Sequence, residues 1–306
     1  MKVGIIGAGN VGSTLAMRLC ESSIADVSLV DIKPDFARAK ALDIQDASAI
    51  IGHSKKITGS ENFDTLSDAD IIVITAGVAR KPGMSRDDLI EKNTSIFNDI
   101  FSKTGAFLKD KLLIVVTNPL DAMTYYAFKK NNFSKKKIIG MAGTLDSARL
   151  KNIVSDELGV DINKIKTHIL GCHGDTMVPI ISHTTIEEKP LSDIAAPEKL
   201  SKIIERTKRR GQEIVALLKT GSAYYSPSAG VFQIIQAIKE NSNEILDVSC
   251  YLEGEYGFKG CFLGVPAEIN AGGINKIVEF DLTDDEKSKL NTSFTKTKAL
   301  LGKLKI

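Results

Sequence analysis

A chain of 306 residues exceeds the length of one ordinary domain, so one large α/β unit or two closely packed domains is expected, with a sizeable core. Forty basic against thirty-eight acidic residues leave a net charge of +2 with no long like-charge block, which argues against nucleic acid as a partner and against a disordered tail. The apolar runs fall far short of the roughly 18 residues that span a bilayer, so no membrane partner is expected.

In chain order, Val3 to Ile6 reads as a buried strand. Lys2 and this apolar start imitate a signal peptide faintly, but Gly7, Gly9, Asn10 and Gly12 interrupt the segment, and a cytoplasmic protein is expected. A helix follows from about Ser13, a strand at Val27 to Val30, and a helix from about Pro34 to Ile50. Further strands are expected at Ile71 to Thr75 and Leu112 to Val116, with a helix between them that begins near Ser85 and carries Leu89, Ile96, Phe97, Ile100 and Phe101 at helical spacing. Short β-branched strands alternating with helices describe a doubly wound parallel sheet. After about residue 145 the pattern changes to a mixed α+β region: a helix, a hairpin-like stretch, charged helices from about Pro197 to Lys219 and Ser228 to Lys239, and antiparallel strands. Thr283 to Glu286 reads as a capping box opening the last helix. With no long linker, the halves should pack directly and leave a cleft between them.

Gly7-Ala8-Gly9-Asn10-Val11-Gly12 follows the first strand at once and runs into a helix. In that context the first glycine permits a tight turn, the second lets backbone approach a pyrophosphate, and the third allows close helix packing. Asp31, nineteen residues beyond Gly12, ends the second strand, where a carboxylate accepts from a ribose diol and repels a 2′-phosphate. NAD rather than NADP is the expected cofactor; a plain glycine turn with Asp31 as a helix cap is the alternative.

Arg80 and Arg86 flank a Pro-Gly pair in Gly77-Val78-Ala79-Arg80-Lys81-Pro82-Gly83-Met84-Ser85-Arg86. A guanidinium grips a carboxylate through a rigid fork of donors, so the stretch reads either as a closing anion-binding loop or as a solvated basic loop. Asp146 and Arg149 stand three apart on one helix face, which a simple surface ion pair would also explain. His173 lies in Gly171-Cys172-His173-Gly174-Asp175 after a strand, where an exposed turn histidine is the competing reading. Cys20, Cys172, Cys250 and Cys261 show no CxxC spacing, and the four histidines show no zinc-site spacing, so reduced thiols and no metal are expected.

Taken together, the GAGNVG turn with Asp31, the ARKPGMSR loop ending in Asn93, the Thr117-Asn118-Pro119 turn, and LDSAR followed by GCHGD resemble the lactate/malate dehydrogenase family across essentially the whole chain, and its lactate-dehydrogenase-like malate dehydrogenase branch in particular. The resemblance implies an α/β fold: a Rossmann doubly wound parallel sheet forming an NAD-binding domain at 1–142, then a mixed α+β substrate-binding catalytic domain at 143–306. It implies that His173 is the proton donor and acceptor, held by Asp146. Arg149 would grip the C1 carboxylate of a 2-keto or 2-hydroxy acid, and Arg86 would polarise the C2 carbonyl. Asn118 would steady that oxygen near the nicotinamide, and Asn93, Val116 and Thr117 would line the cofactor side with Gly7, Ala8, Gly9, Asn10, Val11, Gly12 and Asp31. Arg80 would face the group on C3, where arginine suits a second carboxylate, and Ala223 would leave room for it. Gly77, Pro82 and Gly83 would let this loop close as a lid.

The implied reaction is NAD-dependent interconversion of malate and oxaloacetate by a homodimer or homotetramer. A lactate dehydrogenase or broad 2-hydroxyacid dehydrogenase is the nearest alternative. A non-catalytic NAD-binding regulator has no use for a proton relay, and an NAD-dependent glycosidase would need a metal site. Cys172 beside His173 suggests sensitivity to thiol oxidation.

Overall fold

The computed structural model describes residues 1–78 and 84–306. The first half alternates β1 (Lys2–Ile6), α1 (Asn10–Glu21), β2 (Asp26–Val30), α2 (Phe36–Ile51), β3 (Ile57–Ser60), β4 (Ile71–Ile74), α3 (Arg86–Thr104), β5 (Leu112–Val115), α4 (Leu120–Asn131) and β6 (Ile138–Gly140). The second half begins with α5 (Gly143–Leu158) and the short strands β7 (Ile165–Lys166), β8 (Ile169–Leu170), β9 (Val178–Pro179), β10 (Thr185–Ile186) and β11 (Lys189–Pro190). It continues through α6 (Leu191–Ile194), α7 (Pro197–Leu218), α8 (Tyr225–Glu240), β12 (Glu244–Glu253), β13 (Lys259–Asn270), β14 (Gly273–Ile277) and α9 (Asp284–Leu301).

The strands β1 to β6 are all parallel, in spatial order β6-β5-β4-β1-β2-β3, so the direction of winding reverses between β1 and β4. Ligands of open α/β sheets bind beyond the carboxyl ends of the strands at such a reversal. β4 and β5 are buried throughout, as strands covered on both faces must be. Leu15, Leu19, Val231, Ile234 and Ile235, from α1 and α8, pack on one face. Phe97, Ile100, Met123 and Tyr126, from α3 and α4, pack on the other.

Three features differ from the sequence reading. β3 and β6 were not expected, because at four and three residues with a glycine in each they offer only two adjacent β-branched side chains apiece. The antiparallel strands do not form a separate layer: β12 pairs with β6 at Ser249 and Gly140, so β14-β13-β12 extends the parallel sheet. The contact is close, for a Cβ on Gly140 would lie 2.7 Å from that of Ser249. The expected division at residue 142 thus falls between β6 and α5 while one sheet runs across it. α8 also starts three residues earlier than expected, with Pro227 in its first turn, where a missing N–H costs nothing.

Candidate active site

The glycine turn shows its geometry residue by residue. Gly7 has φ +108°, a conformation open to glycine, and a Cβ on Gly12 would sit 1.9 Å from the Gly7 carbonyl oxygen. Gly9 precedes α1 with no side chain capping the helix, and a Cβ there would meet nothing within 4 Å. The first amides of α1 therefore point, unpartnered by any cap, past an open backbone, which suits an anion such as a pyrophosphate. Asp31 accepts from the Ala8 N–H at 2.8 Å and from the Lys33 N–H at 3.0 Å, so it braces the turn.

Two cavities open from this switch point and meet at Thr75, Gly77 and Val78. The first, about 480 Å³, is lined by Gly7, Gly9, Asp31, Ile32, Phe36 and Ile96 among others. The second, about 500 Å³, holds Val11, Val116, Thr117, Asn118, Arg149 and His173, with Ala223 on its wall. A dinucleotide fits this pair: an apolar slot beside a carboxylate, a bare helix N-terminus, and a second chamber with the ionisable groups.

Asp146 lies behind the wall of that second chamber and holds the two ionisable groups that line it. Its carboxylate, 2% exposed, accepts from His173 Nδ1 at 2.7 Å through one oxygen and from Arg149 Nη1 at 3.3 Å through the other. Burial opposes the charged form of His173, but the attraction and hydrogen bond of Asp146 outweigh it and hold the imidazole above its ordinary pKa. Burial also pulls Arg149 below its usual range, partly countered by Asp146. The guanidinium stays charged, and its buried Nε has no partner, so Arg149 keeps donor capacity for an arriving carboxylate.

Two residues that the sequence reading missed support His173 from behind. Asp121, in the first turn of α4, accepts from the His173 backbone N–H at 3.2 Å and from Ser249 Oγ at 2.6 Å. Burial pushes the Asp121 carboxyl above the usual carboxylate range, against the pull of those two donors. An acid in a first helical turn reads as a helix-end charge; its contact with a residue 52 positions away is a product of the fold.

Asn93 serves the framework. It is fully buried and lines neither cavity: its Oδ1 accepts from the Val78 N–H at 2.8 Å and its Nδ2 donates to the Asn118 carbonyl at 2.6 Å. It ties the segment after β4 to the turn after β5. Thr117 likewise donates to the Ala76 carbonyl at 2.7 Å. Ala8, Asn10 and Gly12 also line neither cavity. Arg80 lies outside the described residues, as does the side chain of Arg86, whose backbone opens α3. Leu89, three residues on, lines the His173 cavity.

The oxidation sensitivity expected of Cys172 is not supported. Its Sγ is 2.9 Å from Thr176 Oγ1, and burial, reinforced by Asp121, pushes the thiol up, which depletes the reactive thiolate. Adjacency to His173 in sequence counts for less than this burial. Among the described residues no group of His, Cys, Asp and Glu could hold a metal ion.

Residues 1–140 match the family model described as lactate/malate dehydrogenase, NAD binding domain, and residues 143–305 match its alpha/beta C-terminal domain. The chain belongs to the lactate/malate dehydrogenase family, and is an NAD-dependent oxidoreductase acting on a CH–OH group. Malate dehydrogenase of Bacillus subtilis is 41% identical over 302 residues, 98% of this chain and 97% of the relative, and that of Staphylococcus saprophyticus is 44% identical over 295 residues, 95% and 94%. The crystal structure of Cryptosporidium parvum malate dehydrogenase matches with a TM-score of 0.96 at 40% identity, covering 99% of this chain and 98% of that one. The lactate dehydrogenase of the same organism, complexed with lactic acid and NAD, matches at 0.95 with 30% identity, covering 98% and 96%.

The raised His173 pKa predicts a linkage. Because the folded value lies above the unfolded one, this group stabilises the fold fully below about pH 6.5, and that contribution fades as pH rises through the folded value. Replacing Asp146 by Asn should move the His173 titration, followed by imidazole NMR, to lower pH and remove stability on the acid side; an unmoved titration would contradict the pairing.

Proposed function

We propose that the chain is an NAD-dependent malate dehydrogenase in which His173, Asp146, Arg86, Arg149, Asn118 and Arg80 carry the reaction of (S)-malate with NAD to give oxaloacetate and NADH. The observation that supports it most is the buried Asp146 shared by an imidazole and a guanidinium on the wall of one chamber. NAD, when bound, supplies the hydride acceptor in one direction and the donor in the other. The Gly7 to Gly12 turn, through Gly9 and the first amides of α1, would hold its pyrophosphate, Asp31 its ribose, and Val116 to Asn118 would border its reactive end.

With Nδ1 engaged by Asp146, Nε2 of His173 is the atom left for substrate. It takes the hydroxyl proton of malate as C2 gives up its hydride, and returns a proton to the carbonyl oxygen in the reverse direction. Imidazolium is the form needed for reduction, and Asp146 favours that form. Arg149 grips the C1 carboxylate and fixes C2 beneath the histidine. Arg86 stabilises negative charge growing on the C2 oxygen, and Asn118 steadies that oxygen.

Arg80 sets the substrate. Oxaloacetate offers it a second carboxylate, whereas pyruvate leaves a desolvated guanidinium without a partner, at a cost of about 2 to 5 kcal/mol by analogy with broken buried pairs. Ala223 leaves space on the chamber wall for the larger acid.

The assembly we infer is a homodimer or homotetramer in the cytoplasm. Four unpaired cysteines suit a reducing compartment. α2 turns Leu42, Ile50 and Ile51 outward, Ile50 90% exposed, an apolar surface that a second copy would cover. Sedimentation should give at least twice the 33.1 kDa chain mass, and a monomer at micromolar concentration would overturn the assembly.

The substrate assignment is tested by kcat/KM with NADH. Wild type should favour oxaloacetate over pyruvate by on the order of thirtyfold or more, the smaller end of that penalty. Arg80→Gln should lower the oxaloacetate value and raise the pyruvate value; an unchanged ratio would remove Arg80 from its role.

A further inference from the structure

Asp146 and Arg149 ride on α5, whereas His173 follows β8, so the catalytic hydrogen bond depends on how these two elements are held together. A second buried carboxylate joins them. Asp247 on β12, its side chain 2% exposed, accepts from Ser147 Oγ, from the Ile169 N–H at 3.2 Å and from His168 Nδ1 at 2.9 Å. Its backbone carbonyl accepts from Thr144 Oγ1 at 2.9 Å. Ser147 Oγ in turn accepts from the Ile169 N–H at 2.9 Å, and its carbonyl accepts from Thr167 Oγ1 at 2.8 Å.

These contacts bracket the catalytic pair. Thr144 and Ser147 stand on either side of Asp146, and His168 and Ile169 begin the short path to His173. The approach of β12 to α5 is tight as well: a Cβ on Gly143 would lie 2.7 Å from both Cβ and the carbonyl oxygen of Asp247. The Asp247 network lines a different cavity from the one holding His173, with no lining residue in common, so Asp247 does not meet the substrate chamber.

We propose that Asp247 is a positioning residue for the reaction: its carboxylate locks the start of α5 to β8 and thereby sets the distance between Asp146 and His173. A carboxylate suits the place because one anion can take several convergent donors at once, and charge-assisted bonds are short and directional. An amide of the same shape keeps one acceptor oxygen and loses the charge. Alanine keeps neither, and the two elements are then free to shift by the fraction of an ångström that matters to a proton relay.

The inference rests on His173 being that relay, and the test separates the two ideas. The charged groups facing His173 are Asp146 and Arg149 from α5 and Asp121 from α4, with Cys172 its neighbour in the chain; Asp247 substitutions leave all of them in place. The full-length chain would be prepared as Asp247→Ala, Asp247→Asn and Ser147→Ala, the last two serving if the first does not fold. Three quantities are read: the His173 imidazole titration by NMR, the pH profile of kcat for oxaloacetate reduction, and the NADH dissociation constant by fluorescence.

Asp247→Ala should move the His173 titration to lower pH, because the carboxylate that raises it is no longer aligned. The alkaline fall of kcat should move the same way and kcat should drop on the order of tenfold, with NADH affinity within about twofold of wild type. Asp247→Asn should recover part of both. A folded Asp247→Ala protein with an unmoved titration overturns the proposal, even if its stability or kcat has fallen. A moved titration with an unmoved kcat profile supports the positioning role and instead counts against His173 as the relay.

Discussion

One buried negative charge organises this protein's chemistry. Asp146 is nearly inaccessible and is shared between an imidazole and a guanidinium, each of which lies at the edge of the same chamber. Isolated burial of a carboxylate is costly, and two donors make it tolerable. The same arrangement makes both cations dependent on Asp146. His173 is held toward its protonated form, and Arg149 is kept in place with donors to spare. A raised imidazole and a fixed guanidinium, the groups proposed above as proton relay and carboxylate clamp, thus depend on a single interaction, provided that α5 and the segment after β8 keep their separation.

The sheet supplies the frame for that condition. The glycine turn after β1 and the segment after β4 diverge at the reversal of strand order, which opens the groove that the two cavities share. Asn93 fastens the two strand ends bordering it, while Asp121, Ser249 and Asp247 fasten the wall that carries His173. β12 contributes two of these three, and it does so by joining the parallel sheet at β6, so the NAD-binding domain and the α/β C-terminal domain are continuous through one sheet. Gly171 and Gly264 make a further bridge beside His173, where a Cβ on Gly264 would lie 2.5 Å from the Gly171 carbonyl oxygen.

Much of this was legible in the amino-acid order. The strands β1, β2, β4 and β5 announce themselves as buried β-branched runs, and Gly7, with its positive φ, and Gly12, packed on the Gly7 carbonyl, each have a structural reason that their spacing already suggested. His173 and Asp146 are 27 residues apart, however, and only the resemblance to a family joined them before the fold did. Asn93 was read as lining the cofactor because it closes a motif; its amide instead satisfies backbone from two other segments, a direction that no local pattern encodes. Asp121, Ser249 and Asp247 were invisible for the same reason, since a carboxylate in a helix start or a strand says nothing of the donors that tertiary packing brings to it. The short strands β3 and β6 were missed because pairing, more than side-chain pattern, makes them strands.

The account turns on His173 as the group that moves the proton, and one substitution isolates that act. His173→Asn keeps a polar side chain of similar reach while removing the titratable ring. NADH should bind as it does to wild type in a fluorescence titration, and turnover of oxaloacetate should fall by about 10²- to 10⁴-fold, the usual contribution of a positioned acid–base group. A variant that binds NADH and still turns over at the wild-type rate would contradict the account.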